Sequence, residues 1–129
     1  MKYEIKELSM FSDKRGWLIE ILNGVFPQKI EQIHYSGSKS GAVRGNHYHK
    51  HRVEWLCVTS GTGRIVLEDN FTKERKELTV SGDSPVLITI PLNVTHAIEN
   101  ISDTPMHLLV IADEKRGSTD SDTYPMQII

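Results

Sequence analysis

Short runs of β-branched and aromatic residues alternate with polar positions along this chain, and clusters of Gly, Pro, Asp, Asn and Ser separate the runs. Period-two alternation of this kind marks strands that bury one face. The pattern predicts strands at residues 3–8, 17–22, 30–35, 43–49, 53–60, 63–68, 76–80, 86–90, 96–100, 107–112 and 124–129. Turn chemistry lies between them: Ser60-Gly61-Thr62-Gly63 suits a tight hairpin, and Ser81-Gly82-Asp83-Ser84-Pro85 suits a longer turn. No helical period with caps at both ends is present, so the expected fold is all-β. Short, evenly spaced strands build a sandwich or a barrel. Residues 113–122 are polar and charged and read as a surface loop before a last short strand.

Composition adds bounds. A chain of 129 residues suits one domain, residues 1–129, with 25% charged and 38% hydrophobic positions typical of a soluble globular protein. Fifteen basic against seventeen acidic residues give a net charge of -2, which argues against a nucleic-acid or membrane partner. The first eight residues carry no apolar leader, and a cytoplasmic location is expected. The one cysteine, Cys57, cannot close an internal disulfide and lies in an apolar run, where it reads as a small buried hydrophobe.

The densest chemistry is the segment from Gly41 to Glu54, with His47, His49 and His51 at alternate positions and so on one face of a strand. Glu54 has the opposite parity and joins that face only if a bend at residues 50–53 resets the register. With one further histidine from elsewhere in the chain, His47, His49 and Glu54 would make an N3O ligand set suited to zinc, nickel, iron, manganese or copper. Equally, His47 and His49 can line a polar pocket without metal. The spacing G-x5-H-x-H-x4-E-x6-G, met by Gly41, His47, His49, Glu54 and Gly61, resembles the first motif of the cupins. Pro91, His96 and Asn100 are similar to the second, with Pro85 and Asn93 at its two glycine positions. The resemblance implies a single-domain cupin, a jelly-roll β-barrel, with His96 as a further metal ligand beside His47, His49 and Glu54. His51, in the charged stretch Lys50-His51-Arg52, is expected to be exposed, and His34 and His107 read as ordinary barrel residues.

Near the N-terminus, Asp13-Lys14-Arg15-Gly16-Trp17-Leu18-Ile19-Glu20 reads on its own as a turn and a strand. It also resembles the D-x-R-G-x-F-x-E element of the dTDP-4-dehydrorhamnose 3,5-epimerase family, with Leu18 at the phenylalanine position. That resemblance implies that Arg15 and Glu20 bind the nucleotide of a sugar substrate. It further implies a homodimer in which residues 1–20 are exchanged between copies. Arg44-Gly45-Asn46-His47 is similar to the family's R-G-x-H, which gives His47 the role of catalytic base. The H-x-H pair looks like the dTDP-sugar 3,4-ketoisomerases and like the cupin domain of capsular-polysaccharide reductases, which binds zinc.

The chemistry implied is isomerisation or epimerisation of a nucleotide-linked 4-keto-6-deoxyhexose in surface-polysaccharide biosynthesis. It requires a base near neutral pKa to take a proton alpha to the ketone, with His47 and His49 as the candidates and Arg44 available for the diphosphate. A metal-bound His47 has no lone pair left for base duty, so another group, such as Tyr35, His51 or metal-bound hydroxide, must then serve. No organic cofactor is expected. Two other classes fit the pocket: a metal-dependent cupin oxygenase and a non-catalytic sugar-binding cupin.

Overall fold

A computed structural model describes residues 1–22, 29–114 and 122–129, and among the described residues there is no helix. The strands in chain order are β1 (Glu4–Glu7), β2 (Met10–Asp13), β3 (Gly16–Ile19), β4 (Gln32–Ser38), β5 (Val43–Tyr48) and β6 (Glu54–Ser60). They continue as β7 (Thr62–Asp69), β8 (Arg75–Ser81), β9 (Val86–Ile90), β10 (Val94–Asn100), β11 (Met106–Ala112) and β12 (Tyr124–Pro125). Every expected strand has a counterpart. β2, within a segment expected to be a turn, is additional, and β12 is shorter than the 124–129 expected. Most of the loop expected at 113–122 lies outside the described residues.

Two five-stranded antiparallel sheets, β1-β9-β6-β11-β4 and β12-β5-β10-β7-β8, pack face to face as a jelly-roll sandwich, the all-β architecture expected. Alternation sorts the side chains. On β6, Leu56 and Val58 point inward and meet Ile65, Leu67, Ile98, Leu108 and Val110 in the main core. Their neighbours Trp55 and Cys57 point outward into a second cluster with Leu87 and Ile111, which Leu8, Ile21 and Ile30 cover. These three side chains thus cover part of the outer face of the first sheet. Burial pushes the Cys57 thiol up to about 11, in keeping with a packing role.

β2 and β3 form a hairpin of their own, and Phe11, Trp17 and Leu18 on it are exposed. β1 is hydrogen-bonded to β9 of its own chain, Glu4 opposite Thr89 through Glu7 opposite Val86.

Between β5 and β10 the register shifts by one residue: His96 faces His47, but Ala97 faces Gly45. Asn46 is the extra residue, at φ 56°, and Gly45 stands at φ 89°. A Cβ on Gly45 would lie 2.6 Å from the His96 carbonyl oxygen, so only glycine fits. The bulge places Arg44 and His47, three positions apart, on the same inner face, which regular alternation would forbid.

Candidate functional site

A cavity of about 410 Å³ opens between the two sheets, with the core residues Leu56, Ile65 and Leu108 among its walls. His47 from β5, His49 just beyond it, Glu54 at the start of β6 and His96 from β10 converge in it. One ligand atom from each lies within 4.8 Å of the others. The His47 and His96 rings meet edge to face at 4.7 Å, and His47 and His49 are 5.0 Å apart. Glu54 arrives from the opposite sheet. Its parity is reset by the bend at residues 50–53, as the spacing required.

That bend is built around Asp122. Its carboxylate accepts hydrogen bonds from the backbone N–H groups of Lys50 at 2.9 Å, His51 at 3.1 Å and Arg52 at 3.0 Å. Its own carbonyl accepts one from His49 Nδ1 at 2.8 Å. The Asn93 N–H donates to the His49 carbonyl at 2.7 Å, and Asn93 takes φ 60°, a left-handed conformation that glycine adopts freely and asparagine tolerates.

A carbonyl oxygen only accepts, so His49 carries its hydrogen on Nδ1 and presents a lone pair at Nε2. Arg52 Nη2 lies 3.2 Å from the same Nδ1, but it too is a donor, and it has Thr123 Oγ1 at 3.2 Å. The shorter carbonyl contact sets the tautomer. His96 repeats the arrangement, with Nδ1 3.3 Å from the Val94 carbonyl. Both Nε2 atoms therefore aim at Glu54 Oε1, at 3.0 Å from His49 and 3.3 Å from His96. Electron pairs facing electron pairs require a cation between them, either a second proton on an imidazole or a metal ion. Imidazoles held by N–H···O=C bonds and aimed with a carboxylate at one point are the usual surroundings of a divalent metal. The residues fit one.

Electrostatics agree. Burial alone would raise the Glu54 carboxyl, but His49 and His96 at its oxygen outweigh burial and hold it well below the usual carboxylate range. Burial, together with the neighbouring His96 and His49 imidazoles, pushes His47 down to about 4 against the opposing pull of Glu54. His47 is neutral at pH 7, its lone pair available.

Arg44 lines the pocket, its Nε donating to Ser38 Oγ at 2.7 Å and its Nη2 to the Gly37 carbonyl at 2.9 Å. The other expected contributors lie elsewhere. Tyr35 is on the outer face of β4, 61% exposed, bonded to Thr59 and stacked on His107, so it does not reach the pocket as a base. His51 is exposed on the bend and lies outside the pocket lining. Arg15 is exposed on the β2–β3 hairpin and paired with Asp13 at 2.6 Å, and the exposed Glu20 follows that hairpin. Within one chain, neither lines the cavity. Conversely, Gln32, His34 and Ser36 of β4 and the buried Arg52 are pocket residues that sequence reasoning did not assign to the site.

Comparison with known proteins agrees with this architecture. The chain is 25% identical over 122 residues to a UDP-2-acetamido-2,6-β-L-arabino-hexul-4-ose reductase of Pseudomonas aeruginosa, covering 95% of this chain and 32% of that one. It is 34% identical to the capsular polysaccharide assembling protein CapF of Staphylococcus aureus, with a TM-score of 0.73, covering 94% of this chain and 34% of that one. The chain thus spans about a third of the length of each of these relatives. A 3,4-ketoisomerase from Helicobacter canadensis is 27% identical, with a TM-score of 0.78, over 93% of this chain and 89% of that one. Residues 11–124 match the family described as the polysaccharide biosynthesis C-terminal domain, and it is to this family that the chain belongs.

Proposed function

We propose that this protein is an isomerase or epimerase of a nucleotide-linked 4-keto-6-deoxyhexose in surface-polysaccharide biosynthesis. The observation that carries the reading is the convergence of four ligand-type side chains with Arg44 in one cavity. The relatives support the substrate class, since those named above are a sugar-nucleotide reductase, a capsular-polysaccharide protein and a ketoisomerase.

His47, His49, Glu54 and His96 hold a divalent metal in this reading, and zinc suits a four-residue N3O set best. When bound, it supplies positive charge for an enolate oxygen. The chain's own residues do the rest. Arg44, fixed by Ser38 and Gly37, directs its guanidinium to the diphosphate. Two copies associate in the cytoplasm as a homodimer through the apolar β2–β3 hairpin, and this carries Arg15 and Glu20 toward the partner's nucleotide.

Incubation with UDP- and dTDP-linked 4-keto-6-deoxyhexoses in heavy water tests the reading. Deuterium is expected at a ring carbon beside the ketone. Binding without any deuterium uptake would instead show a non-catalytic sugar-binding protein.

A further inference from the structure

β4 inverts the usual rule for strands. Its apolar residues Ile33 and Tyr35 are 59% and 61% exposed on the outer face, while Gln32, His34 and Ser36 occupy the inner face and line the cavity. Among the described residues, the ionisable groups of the pocket wall outside the ligand cluster are His34, Arg44 and Arg52. The two guanidinium groups remain charged at any working pH and cannot accept a proton. His34 is the side chain there whose chemistry allows a ring nitrogen both to accept and to give a proton. It stands on the edge strand of its sheet and is exposed, so its ring exchanges protons with water.

We infer that His34 is the general base of the proposed reaction, an inference that rests on the function proposed above. A ring nitrogen of His34 takes the hydrogen from the sugar carbon next to the ketone. The C–H pair becomes the carbon–carbon double bond of an enolate, and the carbonyl π pair moves to oxygen. For isomerisation, the former carbonyl carbon takes the proton back from His34 while the hydroxyl on the first carbon passes its proton to the former carbonyl oxygen, which leaves the ketone at the first carbon. For epimerisation, water protonates the first carbon from the opposite face while His34 releases its proton to solvent. No electrons are lost or gained. This assignment leaves His47 to the metal and removes the conflict between its two roles.

The test compares the wild type with His34→Gln and His34→Asn on the same two substrates in heavy water, with metal content and substrate Kd measured alongside. Both variants are expected to lower deuterium exchange by roughly 100-fold or more and to lose the acidic limb of the wild-type pH profile. Metal content and Kd should stay within roughly 3-fold of wild type. Exchange within roughly 3-fold of wild type in either variant overturns the assignment, as does loss of metal in both. A wild type that shows no exchange fails the proposed function itself, and His34 falls with it.

Discussion

Glu54 and His49 are five positions apart in sequence but belong to opposite walls of the pocket, and Glu54 Oε1 lies 3.0 Å from His49 Nε2. Because the other ring nitrogen of His49 gives its hydrogen to the Asp122 carbonyl, the close pair needs a cation. Protein purified without added metal should therefore carry about one equivalent of a divalent ion by elemental analysis. His96→Ala and Glu54→Gln should each weaken its binding by roughly 100-fold or more. Undiminished metal in both variants would refute the ligand set.

Asp122→Ala should cost roughly 2–4 kcal/mol of folding stability, since three backbone N–H groups lose a charged acceptor. The same change should weaken metal binding by roughly 10-fold, because the bend that aims His49 and Glu54 loosens. Denaturant unfolding and a metal titration measure the two effects. An unchanged midpoint would mean that the bend holds without the carboxylate.

Metal-free protein should lose stability as the pH falls from about 6.5 toward 4. The native His47 titrates near 4 against an ordinary value of 6.5, so the unfolded chain binds more protons in that window and acid favours it. Glu54, held below the usual carboxylate range, acts in the same direction at lower pH. Thermal melts between pH 4 and pH 7 should show a falling Tm on acidification. A flat or rising Tm would contradict the neutral His47.

Arg15→Ala should leave unfolding within roughly 0.5 kcal/mol of wild type, because the side chain is exposed and, among the described residues, pairs with its near neighbour Asp13. In the proposed dimer it should nonetheless raise KM for the nucleotide sugar several-fold. Trp17→Asp should convert the dimer to monomer in sedimentation experiments, since it puts a charge on the hairpin's apolar face. A wild-type monomer, or a dimer that tolerates Trp17→Asp, argues for another interface.

The strands and three members of the ligand cluster were legible because both depend on short-range spacing, whereas His96, on another strand, entered only through the resemblance to the second cupin motif. Turn residues punctuate the strands, and the distances among His47, His49 and Glu54 are local. What escaped depends on pairing across the chain. Asp122 is 73 positions from the His49 it orients, and nothing in the spacing links them. On β4, alternation divides Tyr35 from His34 without saying which is inside. The usual preference for apolar residues inward points the wrong way, because the interior there is a polar cavity. Arg52 looked like part of a charged exposed stretch, but it is buried beside Glu54, with Nε 3.8 Å from Oε2.

The extra residue between Arg44 and His47 makes length, not composition, the fragile property of this segment. Inserting one residue between them would leave every ligand type and the arginine present, yet the bulge absorbs only one extra position, so alternation would turn either Arg44 or His47 out of the cavity. Conservative replacements around the pocket would thus be milder than the gain of a single uncharged residue here. The segment behaves like a reading frame, in which the count between the cation and the imidazole carries the information.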